Sequence, residues 1–495
     1  MSLIQIADLT FGYAGQVDNV FEEVSFQLDS AWKTGIIGRN GRGKTTLLKL
    51  LLGSYEYRGV IMASQDFVYF PFEIEDEEQE TLQLVENLIP DLQQWELLRE
   101  FSWLRLKEEV LYRSFDSLSK GEQTKVLLAA LFLKENSFLL IDEPTDHLDA
   151  ESRQIVSSYL KRQRGFMLVS HDRAFLDNCI DHVLAINKAG IEVQKGNYSS
   201  WWLNRERRDQ FEQTENDKLL REIGHLSEAS RRSAKWSDQI EKSKRGDYNP
   251  VGKKDKGYIG HQAAKMMKRS KATEQRRENA IEEKSKLLKN IERAERLFIP
   301  TRLYHADRLA EFQGLSIIYD GVPVFSGIDL RVGRGERIAI SGRNGSGKSS
   351  LLKLLCGEEI PHEGEGFIGG KLQISYVSQD TAFLQGNLSA YARQRGIEES
   401  RFKAILNKLD FWSEQLSQNM ETFSSGQKKK VLLAASLCDS AHLYIWDEPL
   451  NFIDVLSRIQ IEELILESEP TMVLVEHDRV FLDRVATRHF MLPGE

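Results

Sequence analysis

The chain has 495 residues, 41% hydrophobic and 28% charged, with a formal net charge of −9. That length spans two to four domains of roughly 100–200 residues, and the balanced composition excludes a wholly disordered or fibrous chain. A mean hydropathy of −0.41 and three widely separated cysteines (Cys179, Cys356, Cys438) exclude a membrane-spanning helix, a disulfide framework and a zinc site, and fit a reducing cytoplasm.

The opening MSLIQIADLTFGY alternates apolar and polar residues, which predicts a β-strand, and lacks the basic start of a signal peptide. TGIIG predicts a short buried strand feeding the glycine-rich turn that begins at Gly38, and TTLLKLLLG predicts the helix after it. FLLIDEP, an apolar run ending in Asp142 and Glu143, and GFMLVSHD, ending around His171, read as buried parallel strands that deliver polar side chains at their C-terminal ends. The series then recurs as RIAISG, GRNGSGK, SSLLKLLCG, LYIWDEP and TMVLVEHD, at offsets of 304 to 306 residues. A spacing this long signals domain duplication, and the alternation of strands and helices predicts an α/β fold with domains at 1–200 and 301–495.

The segment between them, 201–300, is different. From Leu203 to Phe298 it holds 25 Lys and Arg against 17 Asp and Glu, net +8, so the rest of the chain carries −17. Leu219, Ile223 and Leu226, then Ile281, Leu288, Ile291 and Phe298, fall at spacings of 3, 4 and 7, the seam of a two-armed helical hairpin. GDYNPVGKKDKGYIG supplies its turn, with the tip near 245–260, about 60 Å from the base if each arm has about 40 residues. The outer flanks read as solvated mixed-charge helix. The centre, Arg231–Lys271, has 13 basic and 4 acidic residues. Basic groups neutralise phosphate and aromatics stack on unpaired bases, so the candidate RNA contacts are Arg245, Tyr248, Lys253, Lys254, Lys256, Tyr258, Lys265, Lys268 and Arg269. The acidic average, which alone argues against a polyanionic partner, hides this segment.

GxxxxGK[ST] occurs twice, as Gly38–Thr45 and Gly342–Ser349. Gly38, Gly41 and Gly43, with Gly342, Gly345 and Gly347, let the backbone curl so that its N–H groups face phosphates at a helix N-terminus, with Asn40 and Asn344 in the same loops. Lys44 and Lys348 reach the β/γ-phosphates, and Thr45 and Ser349 are placed for Mg²⁺, followed by the hydroxyls of Thr46 and Ser350. Asp142 and Asp447 are positioned for the metal shell, while Glu143 and Glu448 can polarise an attacking water. His171 and His477 follow the next strand, where an imidazole can contact the γ-phosphate. Tyr13 and Tyr319, 25 and 23 residues before their P-loops, can stack on adenine.

These residues resemble a pair of ATP-binding cassettes. The resemblance rests on the signature loops, Ser119-Lys120-Gly121-Glu122 and Ser424-Ser425-Gly426-Gln427, and on the D-loops TDHLD and LNFID. It implies that each signature glycine caps the ATP held by the opposite cassette, giving a monomer with two composite sites, and that Gln379 contacts Mg²⁺ and water. Two cassettes, a charged helical hairpin, and the Tyr198, Trp201, Arg205 stretch are similar to the ABC-F family, ATPases of translation. Within it, the long tip and the LIDEPTDHLD and IWDEPLNFID pair look most like the antibiotic-resistance, ribosome-protection branch, of the lincosamide, streptogramin A and pleuromutilin kind. That likeness implies a hairpin in the tRNA exit site, beside large-subunit rRNA and P-site tRNA, displacing drug from the peptidyl-transferase centre and released by ATP hydrolysis.

The departures from the pattern are specific. Phe72 occupies the Q-loop position of the first cassette, so that site recruits another group, such as Gln65 or Glu73, or turns over slowly. Lys120 and Asp146 replace a usual glycine and asparagine without touching the signature glycine. The interval from Phe72 to Ser119, 47 residues against 45 from Gln379 to Ser424, predicts that an inserted arm is reduced or absent, and the 18 residues after His477 predict no C-terminal extension. A housekeeping translation factor, the ATPase of a membrane exporter and a coiled-coil scaffold are the competing functions.

Overall fold

The computed structural model describes residues 2–13, 19–146, 148–187, 190–245, 275, 276, 279, 297–319, 321–343, 345–411 and 414–493, with side chains for all of these except 229–245. In the first cassette the strands are β1 (Leu3–Phe11), β2 (Phe21–Asp29), β3 (Lys33–Gly38), β4 (Arg58–Met62), β5 (Asp66–Phe70), β6 (Ser137–Asp142), β7 (Phe166–Val169), β8 (His182–Asn187) and β9 (Gly190–Lys195). In the second they are β10 (Arg308–Tyr319), β11 (Val322–Gly333), β12 (Arg337–Ser341), β13 (His362–Ile368), β14 (Ile374–Val377), β15 (Leu443–Asp447), β16 (Met472–Val475) and β17 (Arg488–Met491).

Each cassette holds a three-stranded antiparallel sheet, ordered β2-β1-β4 and β11-β10-β13, and a larger sheet, ordered β5-β6-β7-β3-β8-β9 and β14-β15-β16-β12-β17. The larger sheets are parallel apart from the antiparallel pair β8 and β9. Their central strands are continuous apolar runs because both faces are covered, and every residue of Phe166–Val169, Met472–Val475 and Leu443–Asp447 is buried. Parallel pairing aligns the strand ends: Asp142 lies opposite Val169 and Asp447 opposite Val475. The P-loops leave β3 and β12 at that same edge, so polar residues distant in sequence meet there. Between the Q-loop position and the signature, each cassette carries two α-helices, Thr81–Leu88 and Gln94–Leu104 in one, Leu388–Gln394 and Glu399–Lys408 in the other.

The chain divides into two units, Met1–Trp201 with Ala294–Glu495, and Trp202–Arg293. The helix Tyr198–Arg245 runs 48 residues, and along it Leu219, Ile223 and Leu226 form a partly buried stripe, as their spacing predicts. Residues 275, 276 and 279 are also helical. Tyr248, Lys253, Lys254, Lys256, Tyr258, Lys265, Lys268 and Arg269, the turn and the seam positions Ile281, Leu288 and Ile291 lie outside the described residues, as does the Arg245 side chain. Phe298 corrects the seam: residues 297–300 are not helical, and Phe298 is 67% exposed. Among the described residues no helix is long and apolar enough to cross a membrane.

Candidate functional site

Both P-loops have the strand-turn-helix context that the motif requires. Gly38 ends β3, and the helix Lys44–Leu51 starts directly after the loop; Gly342 follows β12 and precedes the helix Lys348–Leu355. Gly43 and Gly347 cap these helices at φ +92° and +84°, and Gly41 and Gly345 are also left-handed, at +80° and +82°. Lys44 Nζ donates to the carbonyls of Gly38 (2.9 Å) and Arg39 (3.2 Å) and to Asn40 Oδ1 (3.3 Å), and Lys348 Nζ to Gly342 (2.9 Å) and Arg343 (2.7 Å). Burial lowers both lysine pKa values, against the pull of the neighbouring carboxylates. Tyr13 and Tyr319 stand over the helix starts, their hydroxyls 2.8 Å from Thr46 Oγ1 and 3.0 Å from Ser350 Oγ, with rings 38% and 41% exposed. Asn344 lies outside the described residues.

Thr45 Oγ1 donates to Asp142 Oδ2 at 2.7 Å, and the Tyr69 hydroxyl donates to the same oxygen at 2.9 Å. Asp447 is 1% exposed, and neither of its carboxylate oxygens is matched by a well-formed hydrogen bond, although Ser349 faces it. Burial raises the pKa of both aspartates, and the facing hydroxyls offset part of that rise. Glu143 and Glu448 both adopt left-handed backbone, φ +47° and +48°, with their amides bonded to the carbonyls of Val169 (2.9 Å) and Val475 (3.0 Å). His171 Nε2 lies 3.2 Å from Glu143 Oε1, and His477 Nε2 lies 3.2 Å from Glu448 Oε1. The two glutamates nevertheless differ electrostatically. Burial, reinforced by Asp146 and Asp142, pushes Glu143 up to about 8. Glu448, against its own burial, is held below the usual carboxylate range by His477. Burial also drives His171 well below its ordinary value.

The cassettes meet at these sites. Asn40 Nδ2 donates to the Phe452 carbonyl at 2.8 Å, joining the first P-loop to the second D-loop. A Cβ on Gly426 would fall 2.4 Å from that carbonyl, within its own cassette, and 3.1 Å from Asn40 Nδ2, so the D-loop requires glycine there and the second signature lies beside the first P-loop. Asp454, which caps the next helix, is bonded to Lys430 Nζ at 3.2 Å, and the charges of Lys430 and Lys44 hold it well below the usual range against its burial. At the other site a cavity of about 620 Å³ is lined by Asp149 and Glu151 of the first cassette and by Arg343, Lys348 and His477 of the second. Ser119 and Ser424 cap their helices in reciprocal boxes with Glu122 and Gln427; Gly121 lies in the first turn of its helix.

Gln379 Nε2 donates to Glu448 Oε2 at 2.9 Å. Phe72 instead faces Lys134, whose Nζ is 5.1 Å from the ring centroid, and the group that reaches Asp142 from that strand is Tyr69, not Gln65 or Glu73. The sequence reading passed over Tyr69, yet Tyr376 recurs at the matching place in β14 and the Asp447 charge acts on it, so the duplication itself carried the signal. Asp146, read as harmless, bears directly on Glu143.

Residues 21–146 and 325–451 match the ABC transporter family. The chain is 28% identical to the ribosome protection protein VmlR of Bacillus subtilis, over 99% of this chain and 87% of that protein. It is 26% identical to the energy-dependent translational throttle protein EttA of Haemophilus influenzae, over 95% and 88%. Among solved structures, the complex of the archaeal ribosome recycling factor aABCE1 with the stalk protein aP1 shares the fold, with a TM-score of 0.61 at 20% identity over 99% of this chain and 88% of that one. With two family matches, each enclosing a P-loop and an Asp-Glu strand end, the chain belongs to the ABC transporter family, as a tandem-cassette P-loop ATPase of the ABC-F kind.

Proposed function

We propose that the chain is an ATP-gated, cytoplasmic ribosome-binding factor that protects the peptidyl-transferase centre from antibiotics. The observation that carries the gating is the cross-cassette hydrogen bond from Asn40 Nδ2 to the Phe452 carbonyl, which makes closure of the two cassettes part of completing a nucleotide site. The ribosomal target is supported by the likeness to VmlR and by the +9 charge of Arg231–Lys271, suited to ribosomal RNA and tRNA. Glu143 and Glu448 polarise water, His171 and His477 sense the γ-phosphate, and Lys44 and Lys348 hold the β/γ-phosphates.

The polar groups fit Mg²⁺. Thr45 with Asp142, and Ser349, Gln379 and Asp447 at the second site, offer hard oxygen donors, and the unmatched buried Asp447 carboxylate is the group a cation would satisfy. A bound Mg²⁺ would neutralise phosphate charge. The protein's own part is to orient the nucleotide and the attacking water.

ATP favours the closed, bound form and hydrolysis favours release, a population shift by differential affinity. Glu143→Gln with Glu448→Gln therefore traps the protein on ribosomes in ATP, measured by co-sedimentation; binding no tighter than wild type removes the gating. Expression in a susceptible host should raise resistance to lincosamides, streptogramin A or pleuromutilins, and deleting Asp247–Tyr258 should abolish the effect. Trapping without any change in drug sensitivity favours a housekeeping role, which the likeness to EttA supports.

A further inference from the structure

Three side-chain donors converge on Glu448. Gln379 Nε2 and Asn451 Nδ2 meet Oε2 at 2.9 and 2.6 Å, and His477 Nε2 lies 3.2 Å from Oε1. Both oxygens are thereby fixed, and the carboxylate plane with them. Glu143 sits on the same backbone turn, as the amide three residues on shows: Asp146 N–H donates to the Glu143 carbonyl at 3.3 Å and Asn451 N–H to the Glu448 carbonyl at 3.4 Å. Its carboxylate has the His171 ring at 3.2 Å and the His171 backbone N–H, also at 3.2 Å. The places of the two amides are taken by Phe72, which has no donor, and Asp146, which when ionised offers only acceptors. Backbone geometry matches between the copies, so the difference lies in side-chain chemistry.

We propose that Asn451 is the positioning residue for Glu448 and that Asp146 reverses its effect at Glu143, so the residue three places after each glutamate sets that site's turnover. The amide donor fixes the carboxylate; a carboxylate in its place supplies no donor and leaves it unaligned. The second site, built on Lys348 and Glu448, is the fast one. This inference rests on the glutamates polarising water, and the test separates the two.

The exchange is nearly isosteric and can be made in both directions. In a Glu143→Gln background, Asn451→Asp should lower kcat about tenfold with KM within about twofold, and Asn451→Ala, which removes the donor without adding charge, should fall between. In a Glu448→Gln background, Asp146→Asn should raise kcat about threefold or more. Binding of a fluorescent ATP analogue should be unchanged in each. Unchanged kcat on Asn451→Asp, a KM rising in step with the loss, or no gain from Asp146→Asn overturns the inference. If Asn451→Asp lowers the melting temperature markedly, the Asp146→Asn arm decides. Glu448→Gln alone is the control: if it leaves turnover intact, the base assignment fails, whereas a loss there without an effect of Asn451→Asp sinks only the positioning role.

Discussion

Arg39 in the first P-loop is ion-paired to Asp410 of the second cassette. The first-cassette residue at the matching place is Arg105: both follow the second of the two helices before the signature, in left-handed backbone at φ +64° and +53°. At the other interface Glu151 stands between two guanidiniums, 3.8 Å from Arg105 and 3.6 Å from Arg343. One interface is joined by a direct pair and the other by a shared carboxylate. Asp410→Arg should therefore weaken ATP binding at the Lys44 site about tenfold, because like charges are then pressed together. Arg105→Asp, which sets a second carboxylate beside Glu151, should change the Lys348 site by no more than about twofold, since Arg105 and Glu151 are well exposed. Nucleotide titration of each single-site variant reads both.

A second cross-cassette contact lies away from the P-loops. Arg173 NH2 donates to Glu462 at 2.9 Å and lies 3.5 Å from Asp478, with Arg173 6% and Glu462 0% exposed in their side chains. Arg173→Ala would leave the buried Glu462 with the half-exposed Arg484 as its partner, and should cost about 3 kcal/mol. Arg173→Met together with Glu462→Met should cost less than the single change. Denaturant unfolding of the three proteins checks the order, and equal losses would contradict it.

Local signals made the α/β plan and the P-loops legible: apolar runs ending in Asp-Glu and glycines before Lys44 and Lys348 need only neighbouring residues to be read. Asn40 with Phe452, 412 residues apart, and Arg173 with Glu462, 289 apart, leave no local trace, because nothing near either residue favours the contact. Phe298 was misplaced for the opposite reason. A 7-residue step from Ile291 continues a helical period on paper, yet residues 297–300 are not helical. Periodicity reports a face, not where the element stops.

The raised Glu143 pKa makes stability depend on pH. Its carboxyl moves from an ordinary 4.5 to about 8 on folding, so the folded state binds a proton that the unfolded state releases between those values. The stability linked to that proton is present below about 4.5 and lost as pH rises toward 8. Glu143→Gln cannot lose it, so without nucleotide or metal its melting temperature should gain on wild type steadily from pH 5 to pH 8. A constant gap across that range would contradict the shift.

Gly43 and Gly41 offer a graded test of the first P-loop. At Gly43, φ is +92° and a Cβ would lie 2.6 Å from Val20 Cγ1 and 2.8 Å from the Phe21 ring. At Gly41, φ is +80° with nothing within 4 Å. Gly43→Ala thus adds a clash to backbone strain of about 1–3 kcal/mol, and Gly41→Ala adds the strain alone. ATP affinity at the first site should fall at least tenfold for Gly43→Ala, on the order of 1.4 kcal/mol, and less for Gly41→Ala.

The reciprocal boxes at the signature helices decide which amides an anion would meet. The Ser119 hydroxyl lies 2.8 Å from Glu122 Oε2, and the Ser119 amide donates to the same oxygen at 2.9 Å, so the cap amide is already satisfied by the helix's own side chain. The second helix does the same, with the Ser424 amide donating to Gln427 Oε1 at 2.8 Å. A phosphate arriving at either end would compete for the cap amide already bonded to Glu122 or Gln427, while the two first-turn amides between cap and box partner stay open to it. The two helix starts differ in charge: an anion at the first would face the Glu122 carboxylate, and one at the second the neutral Gln427 amide.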